Sequence, residues 1–184
     1  MTFSSKALAP SIHLYEDAVD FTKTISDLSL TDARSWNIKN QDATEWKLGD
    51  KIVGYDEYPV SFSFSVNENF LLLAKKIFDC ASDYATKNLT TIDGFDSCII
   101  RKYASTPGFL ELESSDVDNV SRKLTAVLFL DSIDQGGQLT FKNFDVSVSP
   151  KRGSMVVFPA SFAYSFKINK PKESDNLVVV SHFV

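Results

Sequence analysis

The side chains best suited to chemistry in this chain of 184 residues are few and widely separated. There are two histidines, His13 and His182, at opposite ends, and two cysteines, Cys80 and Cys98. Neither cysteine has a histidine near it in sequence, so a thiolate activated by an imidazole is not indicated. Both cysteines read as buried free thiols, the common state for sparse cysteines in a chain without an export signal. The densest group of potential metal ligands is acidic: Glu111, Glu113, Asp116 and Asp118. Sites built from oxygen alone suit Mg, Ca or Mn, and a redox iron usually asks for imidazole as well. Clustered carboxylates at a strand end more often belong to a solvated loop than to a metal cage.

The elements that must hold these residues follow from apolar spacing. Leu14, Ala18, Phe21, Ile25 and Leu28 recur at steps of four and three, which predicts a helix. Val60, Phe62, Phe64 and Val66 alternate with serines, the period of a half-buried strand. Asn67 then caps a second predicted helix whose stripe is Phe70, Leu73, Ala74, Ile77, Ala81 and Tyr84. From Ser97 onward the chain reads as short strands between Gly, Pro, Asp and Asn turns. Leu124 to Asp131 has apolar residues on both faces and reads as a covered strand. Phe144, Val146 and Val148 alternate with polar residues and read as a strand with one wet face. Phe162, Tyr164, Phe166 and Ile168 are expected on one face of a later strand. The 15 phenylalanines fit a sheet-rich core. The expected architecture is α+β: a jelly roll over 97–184 supported by N-terminal helices and a strand over 1–96, all in one domain.

Composition narrows the function classes. A net charge of -5 argues against a nucleic-acid partner, since Lys167, Lys170 and Lys172 are the only local basic grouping. No apolar run is long enough to cross a bilayer, and Met1 to Lys6 lacks a secretion signal's core, so synthesis in the cytoplasm without export is expected.

The ordered set Tyr103, Arg122, Leu124, Thr125, Leu128, Phe129, Leu130, Asp131, Gly136, Gly137, Leu139, Phe141, Pro150, Gly153 and Phe158 resembles the iron(II) and 2-oxoglutarate dependent oxygenases, in particular the small prolyl 4-hydroxylase-like domains, including short bacteriophage forms. The resemblance covers roughly 97–184 and implies a double-stranded β-helix. It also implies positions for the metal and cosubstrate residues, and there this chain departs. Where the family carries His-x-Asp, it has Leu112 and Ser114; a shift of one residue gives Glu111 and Glu113. The distal histidine falls on Phe166, the oxoglutarate arginine on Asn176 and its serine partner on Val178. A facial triad of two histidines and a carboxylate is how this fold holds Fe(II). Without the arginine, the distal carboxylate of oxoglutarate loses its bidentate partner, a loss of about 3 to 5 kcal/mol in a buried pair.

The resemblance with its departures therefore implies a non-catalytic oxygenase-fold protein, with no catalytic, cofactor or metal residues, binding protein partners. Oligomer formation and a place in a phage virion, as a tail, baseplate or neck component, are part of that expectation. One alternative keeps an active hydroxylase with a nonstandard metal site drawn from Glu111, Glu113, Asp116 or His182. Another is a carbohydrate- or peptide-binding jelly roll with Trp36, Trp46, Tyr55 and Tyr58 as a stacking surface. His182 itself is expected to be a hydrogen-bonded residue of the last strand.

Overall fold

The computed structural model describes residues 3–21, 46–48, 51–53, 56–59, 68–103, 105, 113–114 and 121–184. Among these the strands are β1 Lys6–Ala9, β2 Ile12–Tyr15, β3 Trp46–Leu48, β4 Lys51–Val53, β5 Asp56–Pro59, β6 Phe95–Tyr103 and β7 Glu113–Ser114. They continue with β8 Leu124–Phe129, β9 Leu139–Phe141, β10 Val146–Val148, β11 Met155–Pro159, β12 Phe166–Ile168 and β13 Asn176–Phe183. One helix, α1 Glu68–Lys87, is present among the described residues. A seven-stranded sheet runs β1-β2-β11-β8-β13-β6-β5, a four-stranded sheet runs β10-β9-β12-β7, and β3 pairs with β4.

The central strand β8 explains the layering. All six of its residues are buried. Leu124, Ala126 and Leu128 join one apolar cluster, while Val127 and Phe129 join another. The pleat alternates side chains across the sheet, so β8 is a wall between two cores. The outer core lies under α1, whose buried stripe of Leu73, Ile77, Cys80, Ala81 and Tyr84 packs on Leu124, Ala126, Leu128, Val179 and Phe183. Each large aliphatic side chain so buried stabilises by about 1.5 to 3 kcal/mol. The inner core lies between the sheets and contains Tyr103, Phe141, Phe158, Phe166, Ile168, Val178 and Val180.

The C-terminal end of α1 has a physical stop. Leu89 takes a left-handed conformation, φ 53°, and the Thr90 amide donates to the Ala85 carbonyl at 3.0 Å, the six-to-one bond of a Schellman cap. Polar side chains then fasten the helix to the N-terminal hairpin. Tyr15 Oη donates to Asp83 Oδ2 at 2.9 Å, and Lys87 Nζ bridges Asp83 at 2.6 Å and Ser5 Oγ at 3.1 Å.

Three expectations need correction. The helix predicted from Leu14 does not begin there: Leu14 lies on β2, residues 16–21 are turn or irregular, and 22–28 are outside the described residues. The dominant pattern at that point is period two, with His13 and Tyr15 aligned against Val157 and Met155 of β11, and sheet pairing overrides the helical spacing. The support among the described residues is a β-hairpin and one helix. Phe162 to Tyr164 form a 3-10 turn, so the strand begins only at Phe166, and Phe162 is 75% exposed. The Ser165 amide reaches back to the Phe162 carbonyl at 3.3 Å, which turns the chain from one sheet into the other. Phe144 likewise ends a 3-10 turn, and Asp145 at φ 53° starts the short strand β10. The predicted strand 60–66 lies outside the described residues, as does the cap Asn67.

Gly153 shows why one of the matched glycines is required. It has φ +84°, and a Cβ there would run into the Val19 carbonyl. Its amide donates to Phe129 O, and its carbonyl accepts from the Val19 amide, each at 3.0 Å. It thus ties the β10–β11 turn to β8 and to the segment after β2.

No helix among the described residues is long and apolar enough to cross a membrane.

Candidate functional site

The inner core is where the two sheets face each other, and β12 sets its geometry. β12 pairs with β7 so that Phe166 is opposite Ser114 and Lys167 opposite Glu113. The register therefore joins two of the positions named from sequence, Phe166 and Ser114, as cross-strand neighbours. Glu113 falls in the row of Lys167, whose own alternation puts it on the other face from buried Phe166. Leu112, Glu111 and Asp116 lie outside the described residues.

Phe166 is 1% exposed and closes an aromatic cluster inside the barrel. Its ring centroid lies 5.3 Å from Phe158, edge to face, and 6.3 Å from Phe141. Phe141 and Phe158 are themselves 4.8 Å apart in a T-shaped pair. These separations are those of favourable ring contacts, so Phe166 is packed against hydrocarbon on the sides facing Phe158 and Phe141. At the rim of the same end, Phe144 and Tyr164 stack at 4.9 Å. A phenyl ring offers no lone pair to a metal.

At the opposite end of the barrel, Asn176 opens β13 across from Tyr103, and both are buried. Asn176 Nδ2 donates to the Gly137 carbonyl at 3.2 Å, while its Oδ1 is buried without a hydrogen-bond partner. Val178 is fully buried in the inner core, between Arg101 of β6 and Phe129 of β8 in register.

Sequence reading passed over Arg101. It lies on β6, two residues before inner-core Tyr103, and is only 7% exposed. The alternation of Ile100 and Cys98 toward the outer core, with Tyr103 inward, is the signal that would have found it. β5 places Glu57 opposite Arg101 in register.

His182 is on β13, as expected, and is 1% exposed. Its Nδ1 is 3.3 Å from Thr125 Oγ1. Burial, then the nearby guanidinium groups of Arg122 and Arg101, push its pKa down to about 3, so the ring is neutral at physiological pH. Arg122, one of the residues matching the family pattern, bonds Asp96 at 2.6 Å. Burial raises both cysteine thiols to about 12, which makes them poor nucleophiles. Among the described residues no group of three or more His, Cys, Asp or Glu side chains is placed to hold a metal ion. Trp46 opens β3 and Tyr58 lies on β5, in different sheets, while Trp36 and Tyr55 are outside the described residues.

A large and a small antiparallel sheet closed face to face, with a helix behind the larger, define the double-stranded β-helix of the prolyl 4-hydroxylase-like 2-oxoglutarate oxygenases, and this chain has that fold. It is similar in structure to the viral collagen prolyl hydroxylase of Paramecium Bursaria Chlorella virus-1, with a TM-score of 0.66 and 12% identity over 96% of this chain and 98% of that one. A Pseudomonas putida prolyl-4-hydroxylase gives 0.67 at 15% identity over 94% and 91% of the two chains. A Trichoplax adhaerens prolyl hydroxylase, solved with a hypoxia inducible factor peptide, gives 0.70 at 16% over 94% and 83%. No family model and no curated protein matches the sequence.

The iron and oxoglutarate implied by this fold can be tested against the residues present. Phe166 and Ser114, paired across β12 and β7, supply no imidazole, and the one amide hydrogen-bonding group of Asn176 with a partner is committed to Gly137. The described residues supply no histidine pair for that iron, and a charged partner for the oxoglutarate carboxylate would have to come from Arg101 rather than from position 176.

Proposed function

We propose that this protein is a non-catalytic member of the oxygenase fold that serves as a structural or binding module for protein partners. The observation that carries the reading is the aromatic cluster of Phe166, Phe158 and Phe141, where the resemblance assigns the distal metal ligand to Phe166. Replacing a coordinating histidine by a packed phenyl ring exchanges a polar, hydrated centre for apolar burial, and the fold gains stability where it gives up a ligand. Asn176 is neutral where the resemblance puts a guanidinium, so this residue cannot be the charged, bidentate partner that a buried carboxylate needs. The narrower form of the proposal is a phage virion component, which rests on the resemblance to short phage domains.

Anaerobic titration with Fe(II) and 2-oxoglutarate, followed by admission of oxygen and assay of the succinate released, tests the reading. The expected result is no succinate above a blank without protein, and turnover above it would end the proposal. For the virion form, mass spectrometry of purified particles is expected to find the chain in stoichiometric copies.

A second reading, a hydroxylase with a nonstandard metal site, is favoured by one feature: His182 is a neutral imidazole, the protonation state that metals require. Iron retained by the wild type and lost in His182→Ala would support it.

A further inference from the structure

The loop between β8 and β9 and the loop between β12 and β13 meet at the end of the barrel away from Phe166. Two backbone bonds join them: the Lys172 amide donates to Gln135 O at 3.0 Å and the Asn169 amide to Gln138 O at 2.9 Å. Gly136 and Gly137 make that contact possible. Both have left-handed φ, +79° and +71°, and a Cβ on Gly136 would collide with the Lys170 carbonyl. A Cβ on Gly137 would stand 3.0 Å from Asn176 Nδ2 and 3.1 Å from Pro150 Cγ. Into this junction the buried Asn176 side chain donates its single bond, to Gly137 O.

We infer that Asn176 is a latch: from the first residue of β13 its amide holds the glycine loop, itself bonded to the β12–β13 loop, against the start of that strand. Only a short donor fits. The Gly137 backbone lies against the asparagine amide, and a longer side chain has to displace it. An aspartate would keep the shape but set an acceptor against the Gly137 carbonyl. The position that the resemblance assigns to a cosubstrate arginine thus has a structural task here. The latch stands on loop geometry and is separable from the non-catalytic reading: succinate release by the wild type would end that reading and leave the latch intact.

Hydrogen exchange on the whole protein, followed by NMR, tests it. In the wild type the Asn176 side-chain NH2 protons are expected to exchange as slowly as the β13 backbone amides. In Asn176→Asp the Lys172 and Asn169 amides are expected to exchange about tenfold faster, with Val127 of β8 unchanged. Asn176→Arg, probed with 2-oxoglutarate in a thermal-shift assay, is expected to melt lower and show no response to the dicarboxylate. Free exchange of the wild-type Asn176 amide overturns the latch even if neither variant folds. So does an Asn176→Arg protein that melts like the wild type and is stabilised by oxoglutarate.

Discussion

Phe166→Ala isolates the claim that the barrel centre is packed. Phe166 is 1% exposed and has two aromatic neighbours, Phe158 at 5.3 Å and Phe141 at 6.3 Å. Removing the ring forfeits its transfer free energy and two ring contacts worth about 0.5 to 1.5 kcal/mol each. It also leaves a cavity that the sheets cannot fully collapse, and for Phe→Ala the total is about 3 to 5 kcal/mol. That is a large share of the roughly 5 to 15 kcal/mol by which proteins are stable. At about 2 to 4 °C per kcal/mol for a chain of this size, Tm falls by roughly 8 to 16 °C for a 4 kcal/mol loss. Urea melts followed by circular dichroism measure the difference directly, and Phe166→Leu, which keeps most of the volume, should cost less than about 1.5 kcal/mol. A Phe166→Ala loss below about 1 kcal/mol would mean the ring borders open space, and the packing argument for lost catalysis would fail with it.

Three other features of the fold are open to direct measurement. His182 has an ordinary pKa of 6.5 when unfolded and about 3 when folded, so the unfolded chain binds the proton first. Its neutral burial therefore supports the fold fully above 6.5, and stability is lost as pH falls toward 3, by about 2 kcal/mol at pH 5. Imidazole nitrogen shifts should show a neutral His182 at pH 5; a protonated ring there contradicts the buried environment. Leu89→Gly should stabilise by about 0.5 to 1 kcal/mol, because the left-handed cost to leucine exceeds the extra backbone entropy of glycine. Its side chain is 97% exposed and loses no packing, so an unchanged or lower urea midpoint would count against the Schellman assignment. Gly153→Ala should destabilise by about 2 kcal/mol or more, through its positive φ and the Val19 carbonyl in its path. A thermal melt within about 1 °C of wild type would show that the β10–β11 turn relaxes freely.

Much of the fold was legible because its strands carry their own period. Leu124 to Phe129 read as covered on both sides, and the structure buries all six. The glycines read as turns, and Gly136, Gly137 and Gly153 all have positive φ. The N-terminal segment misled, since Leu14, Ala18 and Phe21 fit a helix by spacing while the pairing of β2 with β11 is a tertiary fact that no local window contains. The aromatic run from Phe162 misled for a related reason. Its alternation suits a strand, yet the chain must cross between sheets there and uses a 3-10 turn to do so. At the candidate site, Phe166 and Ser114 were named from sequence and the β12–β7 register brings them together. What could not be read was the hydrogen bond of Asn176 to Gly137, 39 residues away.

Because β8 divides one hydrophobic compartment from another, neighbouring residues along it report on different parts of the molecule. A truncation at Ala126 or Leu128 is felt beneath the helix, whereas one at Val127 or Phe129 is felt between the sheets. Defects confined to opposite sides of such a partition share few partners, so their energetic effects should sum. Substitutions can thus retune the packing between the sheets, residue by residue, while the helical side goes on holding the molecule together.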